Sequence, residues 1–306
     1  MIHHIIYNFA VKIFVFPYNL EYPERQETRY PKENDTIMKK RTTFFLCLAC
    51  LLLALTSLTC CTKEVTYDLA EEQRQISLVE GDPTSPRCEV YIHMPFLSTD
   101  VDEVERQTAM KINNKVLKEF FNGEGDPHQV VSEYVDNYLK EYKEDRYEYY
   151  MSERANCQDE DTSFLVHAFS AYLSIDGSIS RGRGDIVGFT VNQEIYNGGA
   201  HPVSTTYYVN FNPVTGEEVK IADIFLSGTL DQLHDRIVKA IADDKGVRDM
   251  EDLRDMGYDE IGTPQEYMIG QDSITFFYNV YEIGPYALGP TEVKIAYKDL
   301  DDIMVK

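Results

Sequence analysis

Two runs rich in β-branched and aromatic residues decide the fold class: residues 186–211 read IVGFTVNQEIY, then NGGAHP, then VSTTYYVNF. Apolar and polar side chains alternate in much of both runs, and a period of two is typical of strands that bury one face. The glycine pair and Pro202 interrupt the pattern and predict a turn. The stretch therefore predicts two consecutive strands of an antiparallel meander.

Further strands and several helices are predicted on both sides of this stretch. The predicted strands lie at 89–97, 164–175, 218–221, 273–281 and 292–297, and the turn at 212–216 predicts a hairpin between 203–211 and 218–221. Helical spacing predicts helices after the capping oxygens of 98–100, from Pro127, over 230–242 and near 250–256. Helices before and among antiparallel strands predict an α+β fold, an antiparallel sheet with packed helices in two closely associated subdomains.

The N-terminal part of the chain has the features of an export signal. A basic cluster, Met38-Lys39-Lys40-Arg41, is followed by an apolar run over 44–58, and this order is typical of a signal peptide. The run is shorter than the roughly 20 apolar residues of a spanning helix, although an uncleaved transmembrane anchor is the alternative. We predict a signal peptide over 38–60 and interpret 1–37, which lacks a basic start, as an upstream extension before the true initiator Met38.

The end of this signal resembles the lipobox of bacterial lipoproteins, in which a leucine precedes the lipid-modified cysteine by three residues. Residues 55–61 read LTSLTCC, and Leu58 stands three places before Cys61. Cys60 is the alternative, but it would place Ser57 at the leucine position. The resemblance implies a lipid anchor at Cys61 and a location in the cell envelope, periplasmic or surface-exposed.

Polar composition and a breaker cluster, GDPTSP over 81–86, predict a lipid anchor and tether over 61–86. The change from helical to strand-like periodicity near Cys157 then divides the remainder into an N-terminal α+β subdomain over 87–157 and a C-terminal α+β domain over 158–306.

The charge of the chain restricts its partners. It carries 29 basic and 52 acidic side chains, a net charge of −23. Residues 1–60 hold seven basic and five acidic side chains, so the mature region carries 22 against 47, a net charge of −25. Such an excess repels nucleic acid and favours a basic protein partner, although a solvated acidic surface is the alternative.

No pattern of catalysis is present in the sequence. The mature histidines are too scattered for a local zinc-binding pair, and the acidic residues of 243–255 lack calcium-loop spacing. The five histidines of the mature region are His93, His128, His167, His201 and His234. We therefore predict no catalytic residue, metal or cofactor. Cys88 and Cys157 are candidates for a disulfide in an oxidising compartment, with buried thiols as the alternative.

Two motifs resemble a pair of extracytoplasmic domains of unknown function. The first is YNGGAHP over 196–202, followed by a tyrosine-rich strand and an Asn-Pro-x-Thr-Gly turn; the second is FFYNVYEIGPYALG over 276–289. The domain pair is found in the extracellular part of the anti-sigma-V factor, which binds lysozyme, and beside the catalytic domain of some peptidoglycan deacetylases. The resemblance covers about 87–306, less clearly before Cys157.

The resemblance implies a non-catalytic binding module for lysozyme, another basic protein or a cell-wall glycan. The alternative is a cell-wall polysaccharide hydrolase or deacetylase, either the catalytic protein or its accessory. The candidate binding residues are Tyr196, Gly198, Gly199, His201, Tyr281 and Tyr286. Paired glycines permit close backbone approach to a ligand, yet they are also typical of a tight turn capped by a histidine. Tyrosines can stack on a partner or fill a half-buried sheet surface.

Overall fold

Two sheets organise the part of the chain that the computed structural model describes, residues 65–157 and 162–305. The first sheet has the order β1-β2-β3-β4-β5, and the second has the order β6-β7-β8. The first sheet and its helices are β1 (Tyr67–Ser77), β2 (Arg87–Leu97), α1 (Glu103–Phe121), α2 (Pro127–Asn156), α3 (Ser163–Phe169), β3 (Ala171–Arg181), β4 (Val187–Tyr196) and β5 (Val203–Phe211). The second group is α4 (Ile221–Ile224), α5 (Leu230–Lys245), α6 (Met250–Asp255), β6 (Glu266–Ile269), β7 (Ser273–Tyr278) and β8 (Thr291–Ala296).

The predicted α+β class and the two subdomains are confirmed, with one difference in strand direction. Neighbouring strands are antiparallel in both sheets except β2 and β3, which are parallel in the register Cys88↔Ala171. A parallel pair needs a crossover connection. The three helices α1, α2 and α3 form that crossover, which is why they lie between β2 and β3 in the chain.

The predicted tether over 61–86 is wrong for most of its length. Residues 67–77 form β1, which pairs with β2 along all 11 of its residues. The breaker cluster after it is an ordered turn: Thr84 donates to the Asp82 carboxylate, and Arg154 of α2 approaches the same carboxylate at 2.6 Å. These donors lower the pKa of Asp82 to about 2. The polar sequence reflects an edge strand and its turn rather than a linker.

The predicted boundary at 157 is also wrong, because the first sheet contains strands from both sides of it. One core packs α1, α2 and α3 against β1 to β5 and includes buried Phe96, Leu117, Phe189 and Phe211. A second core packs α5 against the second sheet and includes Ile237, Phe276 and Ile295. The change from one core to the other falls between Phe211 and Ile224.

The two long helices of the first subdomain start after side-chain caps. α1 begins after Asp102, whose carboxylate accepts hydrogen bonds from the backbone N–H groups of Val104 and Glu105, rather than after 98–100. α2 has Pro127 at its start, as predicted, and Asp126 caps it. Proline fits the first helical turn because that N–H has no helical partner there.

Three local predictions differ from the structure. The segment 164–175 divides into α3 and the start of β3, because Leu165 and Phe169, one helical turn apart, both bury against the first core. The hairpin after β5 is reduced to a single bridge between Phe211 and Glu218. Strand β6 was not predicted, since four residues give too short a pattern to read.

The two subdomains meet along the outer edge of β5, where side chains take the place of a sixth strand. The Asn279 amide accepts from the Thr206 N–H at 2.8 Å and donates to the Thr206 carbonyl at 3.0 Å. The buried Asn210 amide similarly donates to the Tyr267 carbonyl and accepts from the Ile269 N–H. An amide side chain has the same donor and acceptor as a peptide group, so Asn279 satisfies part of the edge of β5 and Asn210 satisfies part of the edge of β6.

Candidate functional site

The first motif is a loop between β4 and β5 that folds back onto α3. Gly198 has φ +86°, and a Cβ atom there would lie 2.2 Å from the Ala168 carbonyl oxygen. The Tyr196 hydroxyl donates to the Gly199 carbonyl at 3.0 Å, which closes the loop. Arg146 of α2 holds the loop start through the Asn197 amide oxygen at 3.0 Å. Gly198 therefore has the tight-turn role that the sequence leaves open for the glycine pair.

The second motif continues from β7 into a loop of the second subdomain. Asn279 anchors its start on β5, and the following turn is closed by the Glu282 N–H donating to the Asn279 carbonyl. Tyr281 adopts φ +72°, a left-handed conformation that is costly for a tyrosine. Its side chain is 62% exposed, so the backbone holds an aromatic ring out of the surface.

The two motif loops meet, and this contact forms what we call the aromatic cluster: His201, Tyr281 and Tyr286. The rings of His201 and Tyr286 stack with centroids 4.3 Å apart and planes 19° apart. Tyr281 lies 5.6 Å from Tyr286 at a tilt of 39°. All three are exposed. Residues 85 positions apart in the chain thus form one exposed surface that spans both subdomains.

A groove of about 870 Å³ opens beside the aromatic cluster. Its walls are the turn before β2, the face of α3 and the first motif loop. Its lining residues include Thr84, Arg87, Glu89, Ser163, Val166, His167, Tyr172, Tyr196 and His201. Of the six predicted binding residues, Tyr196 and His201 line the groove, Gly198 and Gly199 shape the loop, and Tyr281 and Tyr286 stand beside it.

Two tyrosine rings from adjacent strands form a flat side of the groove. Tyr172 of β3 and Tyr196 of β4 are direct cross-strand partners, with ring centroids 5.8 Å apart and planes 25° apart. The Tyr172 hydroxyl donates to Glu194, whose other oxygen accepts from Ser204 at 3.1 Å. Desolvation, together with the Glu194 contact, raises the pKa of Tyr172 to about 12. The ring is therefore a fixed, neutral platform at physiological pH.

Sequence reasoning missed Tyr172, Glu89 and the α3 wall of the groove. The signal was present in the strand alternation: Arg87, Glu89, Tyr91 and His93 occupy every second position of β2, opposite to its core residues. What the sequence does not reveal is the pairing of β2 with β3, which brings Glu89 beside Tyr172.

Cys88 and Cys157, the candidates for a disulfide, are not bonded to each other in this structure. Cys88 is fully buried beneath α2, and this burial raises the pKa of its thiol to about 11. Cys157 is partly buried and packs against the same core. Cys88 therefore acts as a small apolar side chain of the core, which is the buried-thiol alternative for this residue.

The histidines take separate positions in the described residues. His93 lies 3.1 Å from Asp176 and 3.9 Å from Glu71 on the first sheet, and His234 contacts the Ile261 carbonyl at 2.6 Å. Within residues 65–157 and 162–305, no group of three or more His, Cys, Asp or Glu side chains is arranged to hold a metal ion.

The export and lipidation predictions, which concern 1–60 and Cys61, lie outside the described residues. Among the helices that are described, none combines the length and apolar character required to cross a membrane.

The fold and the loop geometry define a two-subdomain α+β protein with an exposed aromatic cluster and an adjoining groove. Residues 222–298 match the family model described as "Protein of unknown function (DUF3298)". This match includes the second motif and most of the second subdomain, but not the first motif. No curated protein matches the sequence.

Two solved structures are similar to this chain over most of both lengths. A member of the DUF3298 family from Bacteroides fragilis has 28% sequence identity and a TM-score of 0.71, covering 79% of this chain and 94% of that chain. A DUF3298 family protein from Pseudomonas aeruginosa has 13% identity and a TM-score of 0.52, covering 79% and 95%. At 13% identity, the similarity to the Pseudomonas aeruginosa protein shows a shared fold only.

Proposed function

We propose that this chain is an exported lipoprotein, anchored through Cys61, that acts as a non-catalytic binding module in the cell envelope. The observation that carries the proposal is the meeting of the two motif loops: the His201 ring stacks on Tyr286 at 4.3 Å and Tyr281 adjoins it. Exposed aromatic rings held by ordered loops are typical of the residues that dominate binding interfaces.

The aromatic cluster is held rigidly for such a role. Gly198 and Arg146 fix the first loop, and Asn279 fixes the second onto β5. A partner that packs on the cluster would not need to order these loops, so less conformational entropy is lost on binding. The left-handed backbone conformation of Tyr281 also supports a binding role, because strained backbone is common at functional sites.

The groove lies at the end of the first subdomain opposite to the start of β1. β1 begins at Tyr67, six residues after Cys61, and ends at Ser77. Ser77 pairs with Arg87, which lines the groove, so the groove lies at the far end of β1 from Tyr67.

The ligand we propose first is a basic protein such as lysozyme. The net charge of −25 in the mature region favours a basic partner, and the resemblance of both motifs to the anti-sigma-V factor points to lysozyme. A cell-wall glycan is the second candidate, and the groove beside the cluster favours it.

The test compares lysozyme with cytochrome c, a basic protein without the same shape, in binding measurements on the purified full chain. We expect tighter binding of lysozyme and a loss of about tenfold or more in Tyr281→Ala and Tyr286→Ala. Tyr149→Ala is the matched control, because Tyr149 is 63% exposed and lies outside the cluster, against 62% for Tyr281. Equal affinity for both basic proteins, or equal effects of all three substitutions, would reduce the interaction to general electrostatics.

A further inference from the structure

The groove beside the aromatic cluster has a chemistry of its own. Its flat side is formed by the rings of Tyr172 and Tyr196, held parallel within 25° by strand pairing and by the Glu194 contact. The face of an aromatic ring is apolar and carries a partial negative charge, which suits C–H groups that carry a partial positive charge. The C–H face of a sugar ring is such a surface.

Around this platform the groove offers polar groups of several kinds. Hydroxyl groups of Thr84, Thr162 and Ser163 stand on its walls together with the carboxylate of Glu89 and the guanidinium of Arg87. Hydroxyls and carboxylates accept from sugar hydroxyls, and a guanidinium donates to them. A few placed polar groups on a mainly apolar lining are typical of small-ligand sites.

The charge of the groove differs from that of the whole chain. Its lining contains one base, Arg87, and one acid, Glu89, besides two histidines, whereas the mature region carries −25. A polycation would gain little from a balanced lining, and a polyanion would be repelled by the surrounding acidic surface. The lining therefore favours a neutral ligand.

We propose that this groove is a binding site for a short neutral oligosaccharide. A volume of about 870 Å³ accommodates roughly two or three sugar rings, on the order of a drug-sized ligand. One ring stacks on Tyr172 and Tyr196, and its hydroxyls bond to Glu89, Arg87 and the wall hydroxyls. The inference deepens the binding function proposed above by naming the ligand of the groove, and it does not depend on what the aromatic cluster binds.

Binding is measured by saturation-transfer NMR and calorimetry on the purified full chain with cellotriose, maltotriose, tri-N-acetylchitotriose and, as a comparison, the peptide Ala-Tyr-Ala. We expect at least one trisaccharide to bind. Tyr196→Ala removes part of the platform and should weaken binding about tenfold, since an aromatic stacking contact contributes on the order of a tenfold change. Tyr196→Phe keeps the ring and should stay within about threefold.

Tyr196→Ala also removes the hydroxyl that closes the first motif loop on Gly199, so a second groove variant is needed to separate loss of the platform from a change in the loop. Val166→Trp fills the groove from the α3 wall, changes neither partner of the Tyr196–Gly199 hydrogen bond, and should abolish trisaccharide binding. Tyr67→Ala, at a 56% exposed position on the end of β1 away from the groove, should leave trisaccharide binding unchanged. Binding of the peptide alone, binding of no probe, or trisaccharide binding that survives both Tyr196→Ala and Val166→Trp would overturn the proposal. Lysozyme binding in the same variants is a separate readout, so failure of one proposal leaves the other interpretable.

Discussion

At the first motif loop, two adjacent glycines that look alike in the sequence have different surroundings. A Cβ at Gly198 would meet the Ala168 carbonyl oxygen at 2.2 Å, whereas a Cβ at Gly199 would meet no heavy atom within 4 Å. Both have positive φ, so alanine is strained at either position, by about 1–2 kcal/mol. Only at Gly198 is a steric clash with backbone added.

We therefore expect Gly198→Ala to destabilise the protein by at least about 1 kcal/mol more than Gly199→Ala. Equilibrium urea denaturation of both variants measures the difference. If the two substitutions lower the free energy of unfolding equally, the loop does not pack on α3 as described.

A second residue-scale prediction concerns Glu266 of β6, whose side chain lies at the edge of β5. Its carboxylate accepts from the Tyr208 N–H at 2.5 Å. Burial raises the pKa of this carboxyl, and Glu282 and Glu119 add to the rise, while the Tyr208 hydrogen bond opposes it. Because the pKa of this carboxyl is higher in the folded than in the unfolded state, its protonation stabilises the fold. This stabilisation is fully present below the ordinary glutamate pKa and is lost as pH rises through the folded-state pKa.

Glutamine keeps the acceptor for Tyr208 but has no charge to bury. We expect Glu266→Gln to raise Tm at pH 7, with a gain that shrinks toward pH 4, where the wild-type carboxyl is protonated. Thermal unfolding monitored by circular dichroism across this pH range measures it. Glu260→Gln, at an exposed position, is the control and should show no such trend; a gain in Glu266→Gln that is independent of pH would contradict the assignment.

The sequence reveals some of these residues and conceals others for a physical reason. Tyr196, Gly198 and His201 stand out because a glycine pair interrupts a strand pattern locally. Asn210 and Asn279 do not stand out, since their partners lie 57 to 73 residues away. An amide that completes a strand edge has the same local sequence as one that faces solvent.

Among the elements, β1 escapes prediction because it is an edge strand with charged residues on both faces. Its sequence, YDLAEEQRQIS, buries only Ala70 fully, and Arg74 reaches Asp136 and the Ser132 carbonyl of α2. Apolar periodicity cannot identify a strand that is stabilised by pairing and by side-chain contacts of this kind. The α3 segment is ambiguous for another reason: its apolar residues fit either period, and packing against α2 decides.

Because β1 pairs along its whole length, a chain that begins at Arg87 should not fold like one that begins at Thr62. Truncation exposes the edge of β2 and removes Leu78, which is fully buried in the first core. We expect the shorter chain to lose cooperative unfolding or to aggregate, as seen by circular dichroism and size-exclusion chromatography.

The milder variant Leu78→Ala in the full chain should cost about 2–5 kcal/mol. This substitution leaves the β1 backbone in place and so separates the loss of core packing from the loss of the strand. A chain beginning at Arg87 that unfolds with the same Tm as the longer one would show that β1 is dispensable.

For the whole molecule, the sequence predicts the class and the two subdomains but not their boundary. The change from helices to strands falls at Ala171 rather than near Cys157, and β2 pairs with β3 across it in parallel. A parallel pair joined by three helices leaves no local signal of which strands meet. The contact between the two motif loops depends on the same long-range arrangement. The sequence therefore identifies each motif but does not predict that the two loops touch.

The proposed export of the whole molecule has a direct test at Cys61. We expect palmitate labelling and recovery in the membrane fraction to be lost in Cys61→Ala and kept in Cys60→Ala, because Leu58 is placed for Cys61. Processing of the wild type should be sensitive to globomycin. Labelling that persists in Cys61→Ala and disappears in Cys60→Ala would assign the lipid to Cys60. If neither substitution abolishes labelling, the lipoprotein proposal is wrong.

The net charge of the mature region and the aromatic cluster should act on different steps of lysozyme binding. Charge pairs more than about 8 Å apart are largely screened at physiological ionic strength. The charge of −25 should therefore speed encounter in a salt-dependent way, while packed aromatic contacts slow dissociation. We expect the association rate to fall about tenfold or more between roughly 0.05 and 0.5 M salt. The dissociation rate should change little with salt and rise in Tyr286→Ala. If salt accelerates dissociation as strongly as it slows association, and Tyr286→Ala changes neither rate, the complex is held by charge alone and the aromatic cluster is not its centre.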